Sequence, residues 1–182
     1  MKRRVVVTGL GAITPVGNDV ATTWRAITQG VPGGAPITKF DHSTFPVHFA
    51  CEVKGFDPLL CMERKEAKRA DLFAQYAIAA SAEAMRDAGL DDTSKYDPER
   101  TGVIIGSGIG GLKTFEEQHD VYRQRGQSKI SAFFIPMFIS DIAAGLVSMR
   151  FNAKGPNYAT ISACATSAHA IGDAFRTIQY GD

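Results

Sequence analysis

The chain has 182 residues, enough for one ordinary domain with a sizeable core. Hydrophobic residues make up 45% and charged residues 21%, the profile of a globular protein rather than a disordered or fibrous one. With 20 basic against 19 acidic residues the formal charge is +1, which argues against a bulk nucleic-acid or membrane-surface binder and leaves any electrostatic partner to local clusters.

The start, Met1-Lys2-Arg3-Arg4-Val5-Val6-Val7-Thr8-Gly9, has a basic head but reaches glycine too soon for a signal segment, and no apolar run is long enough to span a bilayer. Cys51, Cys61 and Cys164 are odd in number and widely spread, so ordinary thiols in a reducing, cytoplasmic setting are expected in place of a Cys51–Cys61 disulfide. Val5-Val6-Val7 ending in Gly9-Leu10-Gly11 predicts a buried strand and a turn. Asn18 is the expected N-cap of a helix carrying Trp24 and Ile27 and closed by Gly30. Residues 31–60, rich in Pro and Gly, read as loop with short strands. A helical pattern covers about 64–88 and stops at Gly89.

Val103-Ile104-Ile105 predicts a second buried strand, followed by the turn Gly106-Ser107-Gly108-Ile109-Gly110-Gly111. A polar helix is expected over about 112–124 and a more apolar one over about 138–150. A strand at 158–163 then runs into Cys164, with helix to about Tyr180. Strands alternating with helices predict an α/β fold, a parallel sheet covered by helices on both faces. The chain stops just after a helix, where such a pattern would next enter a strand, so the sequence reads as cut short.

Cys164 sits at the expected strand-to-helix junction, where unpaired backbone N–H groups and the positive end of a helix dipole favour a thiolate and can stabilise a thioester oxyanion. Ala163, Ala165 and Ser167 are small and leave room for an acyl chain and its carrier arm, which makes Ala163 a substrate-binding candidate. On local pattern alone a nucleophile and an inert packing cysteine are equally good readings. His169 lies five residues along the helix, a rotation of about 140° that points it away from Cys164, and reads as a structural, hydrogen-bonded histidine. His42, His48 and His119 are expected to face solvent.

Gly106 to Gly111 satisfies the G-x-G-x-x-G dinucleotide fingerprint, but no acidic residue follows at Lys129 to Phe133, where a Rossmann unit needs one. The charge cluster Glu63-Arg64-Lys65-Glu66-Ala67-Lys68-Arg69 reads as a solvated helix face, as does Glu116-Glu117-Gln118-His119-Asp120, whose spacing does not make a zinc motif. No metal or organic cofactor is required.

The run Ile161-Ser162-Ala163-Cys164-Ala165-Thr166-Ser167-Ala168-His169-Ala170-Ile171-Gly172-Asp173-Ala174 closely resembles the active-site segment of bacterial β-ketoacyl-[acyl-carrier-protein] synthases. Arg4 to Gly11 with Thr14-Pro15-Val16-Gly17-Asn18 is similar to their first strand and turn. Gly106 to Gly111 and Lys129-Ile130-Ser131-Ala132-Phe133-Phe134-Ile135-Pro136 resemble the elongating KAS II type, and the matches run in order from residue 4 to the end. Two departures stand out: Ser162 occupies a place where threonine is common in that type, giving a segment more like KAS I, and Ala132 replaces a frequent proline.

The resemblance implies a thiolase-like fold, an αβαβα sandwich of two similar α/β halves, with residues 1–182 making most of the first. It implies a two-stage Claisen condensation in which Cys164 takes an acyl group and malonyl-carrier protein then decarboxylates and attacks it. Two histidines and a lysine that the family needs for decarboxylation lie in its second half, beyond Asp182. The resemblance also implies that Ile109 gates the acyl pocket, with Phe134 and Ile135 lining it. By the same resemblance, Lys65, Lys68 and Arg69, with Lys129 and Arg125 adding to them, correspond to a docking patch for acidic acyl carrier protein. A homodimer is implied, with no nucleic acid or membrane as partner. The competing readings are a polyketide-type ketosynthase, a noncatalytic chain-length partner (which typically lacks the cysteine) and, more remotely, a nucleotide-binding oxidoreductase.

Overall fold

A computed structural model of the chain describes residues 3–181. The first expected strand is not one: 3–11 forms no ladder among the described residues, and Val6 and Val7 are 59% and 80% exposed. β-branched residues favour a strand only where a neighbouring edge supplies ladder bonds. Here the backbone is tied to side chains instead, Leu10 N donating to Asp87 Oδ2 and Ala12 N to Glu83 Oε2, both at 2.9 Å.

Helix α1 is Val20–Thr28, and its cap is Asp19, not Asn18. The Asp19 carboxylate accepts from Thr22 N at 2.6 Å, and this bond above all holds its carboxyl below the usual range. Asn18 is occupied elsewhere, its amide donating to Lys54 O at 2.9 Å. Gly30, at φ +69°, closes the helix as expected, with Val31 N bonded back to Ala26 O. Strands β1 (Ala35–Pro36) and β2 (Phe49–Ala50) pair antiparallel within the long loop.

The helix expected over 64–88 is two, α2 (Arg64–Ala67) and α3 (Leu72–Asp87). Asp71 interrupts them in an extended conformation, and Gln75 Nε2 stabilises the break by donating to Ala67 O and Ala70 O, each at 2.9 Å. Strand β3 (Val103–Ile104) pairs parallel with β4 (Asn157–Tyr158). Between them lie α4 (Leu112–Arg125), α5 (Phe134–Phe138) and α6 (Ile142–Phe151), so the apolar helix expected over 138–150 is α6, starting four residues later, with the extended Ile139 ending the short α5 before it. The strand expected over 158–163 pairs only at its start; 163–165 is a 3-10 turn leading into α7 (Thr166–Tyr180).

Helix α6 packs on β3, β4 and α3, while α7 packs on β3. Two small clusters make the core: Met62, Ile78 and Val147, and Ala70, Ala74 and Ala143, with Ile105 and Leu146 touching both. Asp71 is buried and joins two helices. It stands at the N-cap of α3, and its Oδ2 accepts from Thr114 N at 2.9 Å and Thr114 Oγ1 at 2.6 Å, in the first turn of α4. Negative charge at a helix N-terminus satisfies orphan N–H groups and suits the dipole.

Asp71→Ala strands both Thr114 donors in the interior and is expected to lower stability by about 2–4 kcal/mol, read as a lower denaturation midpoint in urea. The three thiols differ too: Cys51 and Cys164 are exposed, while Cys61 is partly covered by the core and burial pushes its thiol up. Brief alkylation of the native protein with iodoacetamide is therefore expected to label Cys51 and Cys164 well before Cys61, as read by peptide mass mapping.

Candidate active site

The site begins with a sharp turn. Ser162 sits at φ −153° and ψ 45°, Ala163 turns into the left-handed region at φ +49°, and Cys164 follows, exposed, in the short turn ahead of α7. Alanine carries a Cβ that opposes this conformation, at a cost of about 1–2 kcal/mol, so the surroundings must hold it. Thr166, only 4% exposed, does much of that. Its Oγ1 accepts from Ser162 N at 2.8 Å and its carbonyl accepts from Thr160 Oγ1 at 2.9 Å. Ala165 N donates to Ser162 O at 3.1 Å, and Ser162 Oγ lies 2.6 Å from His169 Nδ1. His169 is thus the hydrogen-bonded histidine that the helical rotation predicts, engaged with Ser162.

The turn Gly106 to Gly111 lies against this segment. A Cβ on Gly106 would sit 2.3 Å from Thr166 Cγ2 and 3.0 Å from Thr160 Oγ1, so only glycine permits this approach without a shift. A Cβ on Gly108 would face Ala163 O at 3.9 Å. At the far end Gly110 and Gly111 abut the Phe138 and Met137 carbonyls, and Gly111 N donates to Phe138 O at 2.9 Å. The glycines serve close contact between backbones. Ile109, between these contacts, is 63% exposed.

Phe134 stacks on Phe138 with ring centroids 5.8 Å apart and tilts towards Phe115, while Ile135 is exposed. The structure therefore brings Ala163, Cys164 and the Ile109 turn together, whereas Phe134 joins an aromatic cluster between α4 and α5. A cleft of about 470 Å³, lined by Thr160, Ile161, Ser162 and His169 among others, opens on the side of α7 that carries His169; Cys164 is not among its lining residues.

The basic residues lie on exposed segments. The Glu63–Glu66 capping box starts α2 and leaves Lys65 and Lys68 exposed. The Arg69 guanidinium lies 4.2 Å over the Phe133 ring, which joins this segment to the one that follows Lys129. Among the described residues, none of Lys65, Lys68, Arg69 and Lys129 is engaged in an ion pair. His42 and His48, expected to face solvent, also contact each other in an exposed loop, Nδ1 to Nδ1 at 2.9 Å. Sequence reasoning missed Thr166 and Asp71. An aspartate directly before an apolar helical run is a recognisable cap signal at Asp71; the role of Thr166 depends on the irregular shape of the turn at 160–165, which residue types alone do not specify.

The model of the family described as "Beta-ketoacyl synthase, N-terminal domain" matches residues 2–182. The 3-oxoacyl-[acyl-carrier-protein] synthase 2 of Staphylococcus aureus (strain COL) is 49% identical over 99% of this chain and 43% of its own length. The protein of that name from Synechocystis is 48% identical over the same shares. The chain thus spans less than half the length of the curated relatives it matches. Among solved structures, a beta-ketoacyl synthase from Burkholderia phymatum superposes with a TM-score of 0.85 at 27% identity, covering all of this chain and 44% of that one. The ishigamide ketosynthase/chain length factor does so with a TM-score of 0.91 at 23% identity, covering all of this chain and 45% of that one, a likeness of fold. A ketosynthase complex solved with a type II PKS acyl-carrier protein gives a TM-score of 0.78 at 24% identity over all of this chain and 48% of the matched one, again a likeness of fold. The α/β fold is the thiolase-like one that these ketosynthases share, and the chain belongs to the beta-ketoacyl synthase family, whose N-terminal domain it matches from residue 2 to residue 182.

Proposed function

We propose that the protein is a 3-oxoacyl-[acyl-carrier-protein] synthase of the KAS II type, an acyltransferase of fatty-acid chain elongation with Cys164 as nucleophile. The observation that carries this is the exposed Cys164 on a strained turn at the head of α7, within a chain 49% identical to a named synthase. The Cys164 thiolate attacks the thioester carbonyl of an acyl-loaded carrier protein. The tetrahedral intermediate collapses, expels the carrier thiolate and leaves the acyl group on sulfur. A malonyl-carrier protein then loses CO₂, and its carbanion attacks the new thioester. A 3-oxoacyl-carrier protein forms and the Cys164 thiolate returns. On the family pattern, two histidines and a lysine of the second half assist decarboxylation, and no metal or organic cofactor takes part.

Ile109 gates the acyl pocket in this reading, with Ala163 beside the thioester and Phe134 and Ile135 lining the chain. Its exposure between two tightly held backbone contacts gives Ile109 room to change rotamer. Lys65, Lys68, Arg69 and Lys129 dock the acidic carrier protein, an assignment supported by their exposure, by the Arg69–Phe133 contact near Lys129 and by the solved complex of a ketosynthase of like fold with its carrier protein. The active protein is a homodimer in the cytoplasm. No helix among the described residues is long and apolar enough to cross a membrane.

Incubating the full-length protein with carrier protein bearing a medium-chain acyl group is expected to add one acyl mass, absent from Cys164→Ala, by intact mass spectrometry. An adduct that persists in Cys164→Ala rules out this nucleophile. Charge reversal at Lys65→Glu with Lys68→Glu is expected to slow acylation by carrier protein about tenfold at low salt while leaving acylation by a small acyl thioester unchanged. That difference should shrink as ionic strength rises.

A further inference from the structure

The left-handed Ala163 needs a holder, and the contacts around it identify one. Ser162 and Cys164 flank Ala163 directly, so the direction of the Cys164 side chain is set by how Ser162 is anchored. Ser162 is anchored twice: its N–H donates to Thr166 Oγ1 at 2.8 Å, and its hydroxyl lies 2.6 Å from His169 Nδ1. Thr166 is the buried member of the pair, and its carbonyl also receives Thr160 Oγ1 at 2.9 Å. Its methyl meanwhile fills the space that the missing side chain of Gly106 leaves. One residue thus fastens both sides of the turn ahead of the nucleophile to the first turn of α7.

Resting on the reading of Cys164 as nucleophile, we propose that Thr166 is a positioning residue. Its hydroxyl, assisted by the Ser162–His169 bond, holds Ala163 in its disfavoured conformation and so aims the Cys164 sulfur at the incoming thioester. Thr166 touches neither substrate nor sulfur in this role; it acts through Ser162 and Ala163. His169 is the outer clamp, which gives the histidine nearest in sequence to Cys164 a function without making it a base.

Two substitutions at Thr166 separate this role from packing. Thr166→Val keeps the branched shape and the methyl against Gly106 but cannot accept the Ser162 N–H bond. Thr166→Ser keeps the hydroxyl and loses the methyl. With a medium-chain acyl-carrier protein, the valine variant of the full-length protein is expected to form acyl-enzyme about a hundredfold more slowly, as an aim error of about 1 Å costs. The serine variant should stay within about threefold of wild type. Adding Ala163→Gly to the valine variant should recover about tenfold, because glycine adopts φ near +50° without a holder. A packing role predicts the reverse order, with serine slow and valine normal, and no recovery by glycine; either result overturns the proposal. Should the valine variant fail to melt cooperatively, a serine variant more than tenfold slow is by itself sufficient to overturn it. Cys164→Ala, run alongside, keeps the two claims apart. If it still carries the acyl group, the nucleophile reading fails. If it does not, but Thr166→Val acylates at the wild-type rate, only the positioning role fails.

Discussion

Helix α3 can be approached closely by other backbones because its surfaces are made of alanine, and much else in the structure depends on that. Ala74 is wholly buried against the α6 side, where Ala143 and Ala144 are also wholly or almost wholly buried. On another side Gly9 and Gly11 come so near that a Cβ on either would strike the carbonyls of Ala84 and Ala80. Small residues on both partners let elements pack tightly, and dispersion contacts then accumulate without large side chains. The same helix satisfies the segment it presses against. Glu83 accepts from Ala12 N at 2.9 Å and Val20 N at 2.8 Å, and Asp87 accepts from Leu10 N. A segment with no sheet partner among the described residues thereby has its Leu10 and Ala12 amides bonded, and α1 begins from a fixed point.

From this frame the order of support runs outward to the reactive turn. Asp71, at the head of α3, fixes the head of α4, and α4 begins where the glycine turn ends. The parallel pair β3–β4 brings the ends of two successive crossovers side by side, so the glycine turn after β3 and the cysteine turn after β4 meet. Functional groups at the carboxyl ends of adjacent parallel strands are a general outcome of α/β construction. Here it places an exposed thiol at the head of a long helix, with a turn of minimal bulk beside it.

The turn that carries Cys164 was more legible in the sequence than the scaffold was. Its place was readable because a short extended segment, small residues and a helical pattern meet there, and because the whole segment resembles one family. The ends of α1 and α3 were legible from Gly30 and Gly89, which take positive φ. Helix breaks were harder. Residues 64–88 read as continuous because their composition favours helix throughout, whereas Asp71 leaves the helix to bond the head of α4, and α6 begins at Ile142, four residues later than the pattern suggested. The cap at Asp19 in place of Asn18 is a one-residue displacement decided by the Lys54 carbonyl, distant in sequence. Val5 to Val7 have the residues of a strand, but no ladder partner lies among the described residues, and pairing is not a local property. Thr166 was missed although Ser162 and Thr160 lie only four and six residues before it, because residue types alone do not say that an irregular turn folds back onto the start of the helix.

The glycine turn beside the cysteine has a mechanical corollary. At one end Gly106 is wedged against Thr166, and at the other Gly110 and Gly111 are seated on the carbonyls of α5. A loop pinned at both ends cannot swing as a lid; it can only flex in its middle, at residues 107–109. Any displacement of Ile109 is therefore met within a span of three residues, and strain that this span cannot absorb passes directly into Thr166 and the turn that carries the thiol.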